Sequence, residues 1–119
     1  MKGMSEPEVL IHTGYLRHNL QALLNISTLR KIFPVIKANA YGHGLINVAT
    51  FLENNFSTKE VPLFCVARLS EAAQLRRAGI KRRILVMSHF GEITETEPGE
   101  KMESVDLTLH DFHDFETAL

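Results

Sequence analysis

A second cysteine, an excess of charge, a long apolar run and a complete phosphate-binding glycine fingerprint are all missing from this sequence. Cys65 stands alone, so no disulfide forms within the chain, and its place in the apolar run 63–67 suits packing in a reducing compartment. Thirteen Lys and Arg against fourteen Asp and Glu leave a net charge of −1, too weak a field to attract nucleic acid or an anionic membrane. Residues 1–8 have no apolar core of signal-peptide length and no later stretch approaches a membrane span, so the expected location is the cytoplasm. Gly42-His43-Gly44 lacks the third glycine and the acidic partner of a dinucleotide site, which disfavours a doubly wound nucleotide-binding domain. There is no internal repeat and no low-complexity segment. Finally, 119 residues make one domain at most, whereas a closed (β/α)8 barrel takes about 250.

What is present is a globular composition, 45% apolar and 23% charged, arranged in alternating strand and helix patterns. Val9, Leu10 and Ile11 read as a short extended segment. Thr13 can cap a helix that buries Leu16, Leu20, Leu23 and Leu24 on one face and fades by Arg30 or Lys31. A strand is expected over 33–36, then a glycine-punctuated loop, then a helix with Leu45, Val48, Ala49 and Leu52 aligned, ending near Asn54 and Asn55. The next cycle has a strand over 63–66 and a helix from about Leu69 that stops at Gly79, with Arg76 and Arg77 in its last turn. A third strand follows over 84–87. The acidic stretch 88–104 reads as a surface loop, 105–109 as a fourth strand, and Asp111 as the cap of a last helix. Strands at this spacing with helices between them indicate parallel βαβ units.

The chain is organised around Phe33-Pro34-Val35-Ile36-Lys37-Ala38-Asn39-Ala40-Tyr41-Gly42-His43-Gly44. A lysine directly after four apolar residues has neighbours that leave water and draw its stem with them, and desolvation favours the neutral amine, a nucleophile. Tyr41 offers a hydroxyl to an anion, and Gly42 and Gly44 allow positive φ or close approach of a ligand. The bland alternatives are a lysine snorkelling to solvent and a tyrosine packed on the sheet.

Residues 35–44, Val-Ile-Lys-Ala-Asn-Ala-Tyr-Gly-His-Gly, resemble the pyridoxal-phosphate attachment motif of the alanine racemases. Leu16-Arg17-His18-Asn19-Leu20 resembles that family's first-helix signature. The run through Val66, Glu71-Ala72, Leu75-Arg76, Ala78-Gly79-Ile80 and Ile84-Leu85-Val86 resembles its second helix and third strand. The resemblance implies an α/β fold, a partial TIM-type (β/α)8 barrel of three to four βα units, with residues 1–119 as its amino-terminal portion and the carboxyl-terminal β-domain absent. It implies pyridoxal 5′-phosphate as cofactor, with Lys37 both catalytic and cofactor-binding and Tyr41 binding the cofactor phosphate. The implied reaction interconverts L- and D-alanine for cell-wall peptidoglycan, in a homodimer whose second base is a tyrosine of the β-domain of the other subunit. The sequence holds only Tyr15 and Tyr41, so the isolated 119-residue chain is expected to be inactive. A non-catalytic or vestigial cofactor-binding module is the alternative reading.

Two other clusters are assigned no chemistry. His110-Asp111-Phe112-His113-Asp114 could in principle hold a divalent metal but reads better as the exposed start of a helix, so no metal site is expected. Lys81-Arg82-Arg83 reads as a solvated turn. His43 can orient the loop by a side-chain hydrogen bond, and no catalytic part is assigned to it.

Overall fold

The structure, a computed structural model, describes residues 6–26, 28, 31–87 and 105–107. In chain order the elements are α1 (Thr13–Ile26), a short turn α2 (Lys37–Tyr41), α3 (Leu45–Asn55), β1 (Leu63–Val66), α4 (Leu69–Arg77), β2 (Arg83–Val86) and β3 (Val105–Leu107). The three strands form one parallel sheet in sequential order, β1 pairing β2 with Phe64 opposite Ile84, and β2 pairing β3 with Leu85 opposite Asp106.

The strand expected over 33–36 shrinks to a single parallel bridge, Val35 to Cys65, on the free side of β1. The Cys65 amide donates to the Pro34 carbonyl at 2.8 Å, and the Ile36 amide donates to the Cys65 carbonyl at 2.9 Å. Pro34 has no N–H to extend the ladder backwards, and the chain leaves extended geometry directly after Ile36. Four extended segments therefore lie side by side in chain order, an open partial barrel of the expected class.

Alternation along the strands separates two faces. Phe64, Val66, Ile84 and Val86 are fully buried and join a core with Leu45, Val48, Leu52 and Leu75 from α3 and α4. The opposite face carries Cys65, Leu85 and the exposed Arg83, whose guanidinium pairs with Asp106 on β3. The helix α1 adds Leu20 and Leu24 to the core, with Leu16 packed against it. Leu23 does not join this face: it is 54% exposed. Its register is i+3 from Leu20 and i+7 from Leu16, on the flank of the stripe rather than its centre, so the narrow face that reaches the core passes it by. Residues 9–11 form no strand, and Val9 and Leu10 are exposed.

The stop of α4 is built as the sequence implies. Gly79 has φ +86, the Ile80 amide donates to Leu75 O at 3.0 Å, and the Gly79 amide donates to Arg76 O at 3.0 Å. This is the paired bonding of a Schellman ending, with Ile80 and Leu75 both buried beside it.

The basic triplet departs from expectation. Arg82 is buried, donating to the carbonyls of Val61 (2.5 Å), Glu53 (3.0 Å) and Phe56 (2.9 Å), with its guanidinium 5.8 Å from the Phe64 ring centroid. The carboxylate of Glu53 accepts from the Lys81 and Arg82 amides. The carbonyls at the end of α3 have no partner within the helix, and an arginine fork can serve several at once, which is why this one cation of three is drawn inside. Lys81 and Arg83 remain exposed, as expected. The acidic loop 88–104, the continuation of the fourth strand past Leu107, the helix at Asp111 and the histidines His110 and His113 all lie outside the described residues.

Candidate active site

At the carboxyl end of the Val35 segment the chain does not enter an ordinary loop. Ala38, Asn39, Ala40 and Tyr41 all have positive φ, between 52° and 56°, and form one left-handed helical turn. For L-residues this conformation costs about 1–2 kcal/mol each, and only glycine and asparagine adopt it readily, as single residues. Four in succession persist only where the surroundings hold them, and such strain concentrates at functional sites. Gly42 (φ +90) and Gly44 (φ +94) then carry the chain into α3; a Cβ on Gly42 would meet nothing, so backbone shape explains it without a ligand.

The holding contacts are specific. The Ala38 amide donates to Glu71 Oε2 at 2.9 Å, bringing α4 to the start of the turn. Asn39 turns its side-chain Oδ1 to the Leu45 amide at 2.8 Å, capping α3. Ala40 is buried, its amide donating to Ile36 O at 2.9 Å. His43 Nδ1 lies 2.9 Å from Ala40 O, an arrangement that orients the loop.

Lys37 is half-buried at the first position of this turn, immediately after the buried Ile36. Tyr41, at the last position, is 61% exposed, which leaves its hydroxyl open to an incoming group. The turn thus sets both residues singled out in the sequence at the carboxyl ends of parallel strands, the edge where barrel enzymes bind their ligands. On the neighbouring strand Cys65 is buried, and burial pushes its thiol above the ordinary range, which suits packing rather than nucleophilic chemistry. Toward the other end of the sheet, the Arg83 guanidinium holds the Asp106 carboxyl below the usual range by hydrogen bonding. No group of three or more metal-ligating side chains occurs among the described residues.

Sequence reasoning did not foresee the left-handed turn, because alanine is a strong right-handed helix former and the glycines come after it. Nor did it foresee Glu71 as a partner of this loop. Its available signal was a carboxylate in the first turn of α4, half of a capping box without the usual hydroxyl at the cap.

A family model described as alanine racemase, N-terminal domain, matches residues 11–118. The chain belongs to the alanine racemase family. It is 46% identical over 89 residues to the biosynthetic alanine racemase of Escherichia coli O6:H1, covering 75% of this chain and 23% of that protein. To the alanine racemase of Shewanella amazonensis it is 35% identical over 113 residues, covering 95% and 28%. Among solved structures, the Corynebacterium glutamicum alanine racemase superposes with a TM-score of 0.63 at 30% identity, over 80% of this chain and 26% of that one. A Clostridium difficile alanine racemase in complex with cycloserine superposes with a TM-score of 0.62 at 32% identity, over 89% and 25%. The chain spans about a quarter of the length of these relatives, and corresponds to the amino-terminal portion of the racemase barrel.

Proposed function

We propose that this chain is the lysine-bearing portion of a pyridoxal-phosphate-dependent alanine racemase, an isomerase acting in cytoplasmic D-alanine biosynthesis, whose working form is a homodimer. The observation that carries the reading is the left-handed turn of an alanine racemase family chain, with half-buried Lys37 at its start and exposed Tyr41 at its end. The donor set fits the cofactor: a primary amine for an aldehyde and a phenol O–H for a phosphate, both at the carboxyl edge of parallel strands. When bound, pyridoxal phosphate supplies the electron sink that makes the α-proton of an amino acid labile.

The chain's own residues then have distinct tasks. Lys37 would hold the group through its Nζ, and the same atom would take or return a proton on one face of the substrate. Tyr41 would donate its hydroxyl hydrogen to the phosphate. The strained backbone between them fixes their relative placement, so little freedom is lost when both engage. Inversion also needs a proton donor on the opposite face. Tyr15, the other tyrosine, lies on α1 with its ring 5.1 Å from that of His12. On the family's pattern the second base is a tyrosine contributed by the other subunit rather than Tyr15. Small-molecule binding in the family is illustrated by the cycloserine complex of the Clostridium difficile relative.

Borohydride reduction of the polypeptide incubated with pyridoxal phosphate, followed by peptide mapping, tests the assignment. The expected label is on Lys37. Label on Lys31, Lys59 or Lys81 with none on Lys37 refutes it.

A further inference from the structure

One carboxylate gathers three backbone amides from two different places in the chain. Glu71 Oε1 accepts from Ala67 at 3.0 Å and Arg68 at 2.8 Å, at the junction of β1 and α4. Its other oxygen, Oε2, accepts from Ala38 at 2.9 Å, thirty-three positions away and directly after the lysine. A helix cap needs only the first oxygen. The second bond crosses to the neighbouring segment and seizes the first residue with positive φ, the point where the chain changes hand.

We propose that Glu71 is a positioning residue for Lys37: by clamping the Ala38 amide to the first turn of α4, it fixes the direction in which the lysine leaves the sheet. The proposal deepens the cofactor reading above and rests on it for its functional meaning. Ala38 gains nothing from positive φ on its own. Without the clamp it relaxes toward negative φ, the turn rotates about the Lys37–Ala38 peptide, and the amine loses its fixed bearing. Charge makes the clamp firm, since an ionised carboxylate accepting from amides forms stronger bonds than a neutral acceptor and sits favourably at a helix amino terminus. Glutamine cannot replace it fully, because one end of its amide is a donor and would face an N–H.

The test uses the 119-residue chain and its Glu71→Gln and Glu71→Asp variants. Amide hydrogen exchange of Ala38, Ala67 and Arg68 is measured without cofactor. Labelling by pyridoxal phosphate is then measured at Lys37 relative to exposed Lys59 and Lys81. In that reaction a lysine amine condenses with the cofactor aldehyde, releasing one water, and borohydride reduces the resulting C=N to a stable secondary amine. In the unsubstituted chain the Ala38 amide is protected. Aspartate, one methylene shorter, keeps the bonds to its own turn and loses the one to Ala38, so Ala38 alone gains exchange. Glutamine surrenders one of the two sides. In the Asp variant the preference for Lys37 falls by ~10-fold, less than the ~100-fold that a full 1 Å misplacement of a reacting group can cost. A cap with no positioning role would instead raise exchange at Ala67 and Arg68 and leave lysine selectivity unchanged, which overturns the proposal. An unprotected Ala38 amide in the unsubstituted chain overturns it whether or not either variant folds. If Lys37 is never labelled while the Ala38 exchange pattern follows Glu71, the cofactor reading fails and the clamp stands as a backbone device.

Discussion

At the scale of single residues, the site is a problem of backbone handedness. Ala38, Asn39, Ala40 and Tyr41 occupy a region where three of the four have a Cβ and no compensating local hydrogen-bonding side chain. The expense is met by neighbours: Glu71 on Ala38, Asn39 on the Leu45 amide, and burial of Ala40. Ala38 is exposed, so its substitution changes conformation without changing the core. Ala38→Gly removes the Cβ and relieves about 1 kcal/mol, partly offset by glycine's greater freedom in the unfolded chain. Ala38→Val adds a branched Cβ at positive φ and destabilises by about 1–2 kcal/mol more than alanine. The expected order of thermal midpoints, followed by circular dichroism at micromolar concentration, is glycine at or above alanine and valine clearly below. Valine equal to alanine would mean that Ala38 does not hold positive φ. Lys37 and Tyr41 were singled out in the sequence by side-chain chemistry within a specific string, and they fall at the first and last positions of the turn. The left-handed turn was not legible there, because the contacts that hold it include Glu71, far along the chain.

At the scale of elements, helix positions followed from apolar spacing, and the end of α4 from Gly79, because those signals are local. The first strand was overread. Four apolar residues predict burial, but pairing needs amides, and Pro34 lacks one while the turn begins at once after Ile36. Arg82 was misread for the converse reason: a basic triplet says nothing about which member meets the carbonyls of Glu53, Phe56 and Val61. Its three carbonyl acceptors give a direct test. Arg82→Met keeps the apolar stem and leaves those carbonyls without their donor, a loss of about 2–4 kcal/mol and a fall of roughly 10 °C or more in thermal midpoint. Arg82→Lys recovers only part, since one ammonium does not reproduce a planar fork. Arg83→Met, at an exposed site, leaves the midpoint nearly unchanged. Equal small effects at both positions would return the triplet to the solvated turn that its composition suggests.

At the scale of the whole molecule, the sheet is asymmetric in its cover. The helix-facing side is closed by α3 and α4, whereas the outer edge beside Val35 has no further strand among the described residues. Phe33 and Val35 are 54% and 40% exposed there. A groove of about 570 Å³ runs between α1 and this edge, lined by residues such as Leu10, Leu16, Leu23 and Pro34. Parallel sheets are ordinarily covered on both faces, and an uncovered apolar edge is a template for pairing with another chain. A polypeptide of residues 1–119 alone is therefore expected to self-associate, its apparent mass by light scattering rising with concentration. The rise should be steeper in salt that strengthens apolar burial. Phe33→Lys places a charge on the edge without touching the buried core, and shifts the distribution toward monomer. The charge should act at the edge and nowhere else, so Gln74→Lys, at an exposed position of α4, leaves association unchanged. A sharp monomer peak for the unsubstituted polypeptide across that concentration range would show that its edge is already satisfied. The sheet would then stand as a self-sufficient α/β unit even without the rest of the barrel.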